Sequence, residues 1–71
     1  MKVPTTPREV DRMAAKLMTT AADIGLLDYR LRQGSWEDYQ LEDLKTATAL
    51  LKQATELLRR HARRWREETS Q

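Results

Sequence analysis

Two stretches of helical periodicity meet at one short break, Gly34-Ser35, and that break constrains the fold more than any other feature of the chain. A connection of this length leaves two helices no choice but to lie side by side and antiparallel. The expected architecture is therefore all-α: an antiparallel two-helix hairpin.

The limits of each helix follow from local chemistry. Thr6-Pro7-Arg8-Glu9 is a helix start. Thr6 can cap, Pro7 lacks an amide hydrogen where one would go unbonded, and Glu9 completes a capping box. Apolar residues then recur at Val10, Met13, Leu17, Ile24, Leu27 and Leu31, a heptad spacing interrupted at Thr20. Gly34 is expected to end this helix in the left-handed conformation, with Ser35 capping the next and Glu37 and Asp38 in its first turn. The second seam reads Leu44, Ala47, Leu51, Ala54, Leu58, His61, Trp65. The expected organisation is an N-terminal arm at 1–6, helix one at 7–33, a turn at 34–35, helix two at 36–68 and a frayed tail at 69–71. Gly25, inside the first helix, costs about 1 kcal/mol relative to Ala and is a place where that helix could kink or break into a three-helix arrangement.

At 71 residues and without cysteine, the chain is close to the limit of what one core can hold without a partner. A seam on each helix uses up only part of the apolar surface. Leu50 and Leu57 flank the seam of the second helix, and Ala14, Met18, Ala21 and Gly25 form a stripe of small or flexible residues on the first. Covering these with a second copy gives a four-helix bundle, the arrangement expected here. The same leucines could equally receive a different protein.

Charge is segregated although the net is only +2. Residues 1–35 carry +2, residues 36–58 carry −3 and residues 59–71 carry +3. In an antiparallel hairpin Glu37, Asp38, Glu42 and Asp43 come back near Arg30 and Arg32, and the arginine-rich end returns beside Glu9 and Asp11. The cluster Arg59, Arg60, Arg63, Arg64 and Arg66, next to Trp65, has the chemistry to grip phosphates, so nucleic acid is a possible partner. Cations at a helix C-terminus are also favoured by the helix dipole, which explains the cluster without a ligand. Tyr29, Trp36 and Tyr39 gather around the turn, either as a recognition patch or, preferentially, as a small core closing that end.

The residues do not point to catalysis. There is no cysteine nucleophile, a single histidine expected on the seam, two serines at a cap and in the tail, and no glycine-rich phosphate loop. No catalytic, cofactor-binding or metal site is expected. No apolar run approaches the length of a membrane span, and nothing behind Lys2 resembles a secretory signal, so a cytoplasmic protein without membrane association is expected. No motif covers enough of the chain to claim a family. The reading is of a non-enzymatic interaction or regulatory protein that docks on a protein partner and self-associates, with nucleic-acid regulation through the arginines as the alternative.

Overall fold

The computed structural model describes residues 5–69; the first four residues of the expected arm and the last two of the expected tail lie outside them. Helix α1 spans Pro7–Gln33, a 3₁₀ turn spans Asp38–Leu41 and helix α2 spans Glu42–Thr69. The two helices pack against each other along a rod of 56 × 19 × 16 Å. The all-α hairpin is as expected. Helix α1 runs through Gly25 unbroken, which excludes the three-helix arrangement.

The start of α1 is built as its sequence dictates, with one shift. Thr6 is extended (φ −139°, ψ 154°), and its hydroxyl accepts the Glu9 N–H at 3.3 Å. The Glu9 carboxylate reaches one residue further back than a capping box on Thr6 requires. It accepts the Thr5 N–H and the Thr5 hydroxyl, each at 3.2 Å.

The connection departs more from expectation. Gly34 is not left-handed (φ −88°, ψ −142°), and its N–H closes the last turn on the Leu31 carbonyl at 3.1 Å. Ser35 is not the cap of the second helix. Glu37, extended at φ −95° and ψ 163°, precedes the 3₁₀ turn, and its N–H donates to Gln40 Oε1 at 2.8 Å. The turn expected at 34–35 is therefore longer, and the stretch expected to be helical from 36 enters α2 only at Glu42. Leu41 is fully buried where the chain returns over the end of α1, and Arg32, which binds Asp28 at 2.7 Å and also Asp38, ties that return to the helix. The hydrogen bond from Arg32, then its charge and that of Lys45, holds the Asp38 carboxyl below its usual range. The hydrogen bonds to Asp38 and then Asp28 push Arg32 further up. This is the charge pairing across the turn that the antiparallel reading expects.

The three aromatics do not close this end. Tyr29, Trp36 and Tyr39 are all exposed, Tyr39 by 75%, and Leu41 plugs the end from beneath. Tyr29 sits on an outer face of α1, Trp36 in the connection and Tyr39 in the 3₁₀ turn, so the three rings come from separate elements and none is directed into the seam.

The seam itself is rotated from the one read in the sequence. On α1 it runs through Val10, Ala14, Leu17, Ala21, Ile24, Asp28 and Leu31. On α2 it runs through Leu41, Leu44, Thr48, Leu51, Thr55, Leu58, Ala62 and Trp65, with Ala47 and Ala54 half-buried along its edge. Large side chains at one heptad position are as expected. At the other position the fold takes Ala14, Ala21, Thr55 and Ala62, all buried, instead of Met13, Thr20, Leu27, Ala54 and His61. His61 is exposed rather than seam-facing. Small residues there let the backbones approach closely, which gains more dispersion contact per residue than wedging Met and Leu between them. The two threonines cost little in this position. Thr55 donates its hydroxyl to the Leu51 carbonyl at 2.7 Å and Thr48 donates to the Leu44 carbonyl at 2.9 Å, so only their methyl groups face α1. Among the described residues no buried side-chain polar atom lacks a partner.

Two outcomes follow from this packing. Ala14→Leu, at a site with no exposure, should overpack the seam and lower stability by about 1–3 kcal/mol in urea unfolding, whereas Met13→Leu next to it should be near neutral. A Cβ at Gly25 meets no atom within 4 Å, so Gly25→Ala should stabilise by about 0.5–1 kcal/mol, and calorimetry should show the melting temperature rising by several degrees.

Candidate functional site

The two flanks of the hairpin are chemically different, and the charge contacts say which residues share a flank. Arg66 of α2 pairs with Asp11 of α1, and Gly25 and Asp28 line one hollow with Lys45, Thr48, Ala49 and Lys52. These residues lie on the same side of the two seams. At 3.6 residues per turn, Met13, Thr20 and Leu27 of α1 fall on the opposite side, together with Ala47, Leu50, Ala54, Leu57 and His61 of α2. This second side holds exposed large apolar residues, with Lys16, Asp23 and Arg30 of α1 beside them. Leu50 and Leu57 are each 59% exposed, Leu27 46% and Met13 40%. The Asp11–Arg66 pair also sets levels along the rod: Met13 stands level with Arg64, Thr20 with Leu57 and Leu27 with Leu50.

The residues proposed from sequence for association separate into three groups. Leu50 and Leu57 are on the apolar face, as read. Ala14 and Ala21 are buried between α1 and α2 and offer nothing to a partner; the close approach of the helices consumes them. Met18 is exposed, but on the far side with Gly25. Met13 and Leu27, which the sequence reading assigns to the seam, are the members of the face that it misses. The signal is present: Val10, Ala14, Leu17, Ala21, Ile24, Asp28, Leu31 is an unbroken heptad, and choosing it frees Met13 and Leu27.

The arginine cluster is dispersed by the helix. Arg59, Arg60 and Arg63 line a hollow with Glu56, Arg66 is engaged by Asp11, and Arg64 lines a hollow at the end of the apolar face with His61, Trp65 and Glu68. Trp65 is half-buried in the seam, its ring centroid 6.1 Å from that of His61 and tilted by 57°. A longer feature does emerge. Lys45, Lys52, Arg59 and Arg66 recur every seven residues on the flank opposite the apolar face, a basic edge about 30 Å long. Tyr29, Trp36 and Tyr39 are exposed at the turn rather than gathered into one cluster.

Among the described residues no group of three or more His, Asp or Glu side chains could hold a metal ion, and no helix is long and apolar enough to cross a membrane. What the geometry offers is a flat apolar strip on one side and a basic edge on the other. No protein-family model, curated protein or solved structure matches the chain.

Proposed function

We propose that this chain is a non-enzymatic interaction protein that docks on a protein partner and self-associates through the strip formed by Met13, Leu27, Leu50 and Leu57. The observation that carries this reading is that all four large apolar side chains are exposed on one side of the hairpin while the buried core consists largely of small residues. Clustered exposure on both helices of one side characterises surfaces that meet another protein; Leu26 and Tyr29, also exposed, lie off this side and on α1 alone. Joining two such strips gives a four-helix bundle, which adds the core volume that a two-helix chain lacks.

The test is the oligomeric state of wild type and of Leu50→Lys/Leu57→Lys across a concentration series, by sedimentation equilibrium, with circular dichroism as the folding control. The wild type should associate in the micromolar range and the double variant should remain helical and monomeric. Association unchanged by the two substitutions would overturn the assignment.

A second reading rests on the basic edge. Lys45, Lys52, Arg59, Arg63 and Arg66 could follow a phosphate backbone, and the protein would then act as a nucleic-acid-binding regulator. This reading expects anisotropy of labelled duplex DNA or hairpin RNA to report binding near physiological salt, falling steeply as salt rises because neutralised phosphates release counterions. Arg59/Arg63/Arg66→Ala should abolish it. Binding confined to low salt, or indifferent to the arginines, removes the reading.

A further inference from the structure

We infer that the apolar strip receives a second copy of this chain in the reversed orientation, related by a two-fold axis that crosses the rod at the level of Thr20 and Leu57. This rests on the self-association reading above and adds the geometry of the pair.

Charge sets the orientation. Beside the apolar residues of the strip, α1 carries Glu9, Lys16, Asp23 and Arg30, one every seven residues and alternating in sign. The line is antisymmetric about its middle. When a copy is turned end for end about Thr20, Glu9 meets Arg30 of the second copy and Lys16 meets its Asp23, and the same pairs repeat on the other side of the axis. Lys16, Asp23 and Arg30 are exposed, and the ion pairs found among the described residues use none of them. On the opposite flank the ionic partners are internal: Asp11 is used by Arg66 and Asp28 by Arg32.

The apolar residues obey the same symmetry. Leu27 and Leu50 stand at one level, Thr20 and Leu57 at the next, and Met13 with Arg64 at the third. Reversal stacks Thr20 and Leu57 on themselves and sets Leu27 and Leu50 against Met13 and the aliphatic stem of Arg64 from the second copy. Between these layers Lys16 and His61 face Asp23 and Ala54. At the ends Glu9 and Glu68 face Arg30 and Ala47.

The alternative pairing, with the two copies running the same way about an axis along the rod, is electrostatically disfavoured. It sets Glu9 of each copy against Glu68 of the other, and leaves Lys16, Asp23 and Arg30 facing His61, Ala54 and Ala47 with no opposite charge. Like charges in direct opposition destabilise where the reversed pair gains.

Charge exchange tests the orientation. In Lys16→Glu homodimers the introduced carboxylate opposes Asp23 of the second copy, and in Asp23→Lys homodimers the introduced ammonium opposes Lys16. Each variant alone should dimerise about tenfold more weakly than wild type. Mixed together, they restore both attractive pairs, so native mass spectrometry of the equimolar mixture should show the heterodimer well above its statistical half, with the excess shrinking at high salt. Both positions are exposed, so helical content should be unchanged by circular dichroism. If wild type dimerises but the mixture stays statistical, or either variant dimerises as well as wild type, the reversed geometry is wrong and the self-association reading stands. If wild type is monomeric at every concentration, both fall.

Discussion

The close approach of α1 and α2 at Ala14, Ala21, Thr55 and Ala62 is the constraint on which the rest of the structure depends. In this pair of helices the most deeply buried positions of the seam are taken by small residues, and the larger ones are only half-buried beside them. Alanine and internally bonded threonine fill those positions. The large residues Leu17, Ile24, Leu51 and Leu58 then lie against the facing helix as half-buried covers instead of central fillers. Stability comes from dispersion over a long, narrow contact, which is why enlarging a single alanine is costly and why the core is thin in large buried side chains.

Charge contacts at the two ends fix the register of that contact. Arg32 ties the end of α1 to Asp38 in the returning chain, and Arg66 ties the end of α2 to Asp11 at the start of α1. Exposed pairs of this kind contribute well under about 1 kcal/mol each. Their importance lies in selection: a heptad slip would leave the same alanines and leucines facing one another but would separate both pairs. Leu41 adds a steric stop at the closed end, since it is buried only when the 3₁₀ turn folds back over α1.

Much of this was legible in the residues. Thr6-Pro7 marks the beginning of α1, Gly34 lies at its end, and the antiparallel sense follows from the short connection and the opposed charges. The seam was less legible because the sequence holds two overlapping heptads. Val10, Leu17, Ile24 and Leu31 belong to both, and only the companion positions differ: Met13, Thr20, Leu27 in one and Ala14, Ala21, Asp28 in the other. Hydrophobicity favours the first. Close packing favours the second, and it also tolerates Asp28 because Arg32 neutralises it at 2.7 Å. The first heptad also takes His61 to the seam, sets Ala14 and Ala21 on the docking surface and withholds Met13 and Leu27 from it; in the structure all five are reversed. At the turn, the connection differs from the preferences of Gly34 and Ser35 because the 3₁₀ turn buries Leu41 against the helices, a contact that the turn residues alone do not contain.

The choice between the two heptads therefore decides the core and the exposed face together. Burying the small-residue register leaves the large-residue register outside, and its members must either be diluted with charge or be covered. In this chain charge is interleaved on one helix only: Lys16, Asp23 and Arg30 alternate with Met13, Thr20 and Leu27 along α1, while α2 contributes the more apolar half with Leu50 and Leu57, which is left to be covered. A strip composed of leucine alone would adhere to any exposed apolar surface. One ruled by alternating charge carries a penalty against partners of the wrong sign pattern, so that recognition rests on the repulsion of alternatives as much as on the area buried. In the reversed pair proposed above, the order acid, base, acid, base on one helix both satisfies its own copy and rejects the same-way alignment. That is a specification a short helix can carry without giving up a single residue of its intramolecular seam.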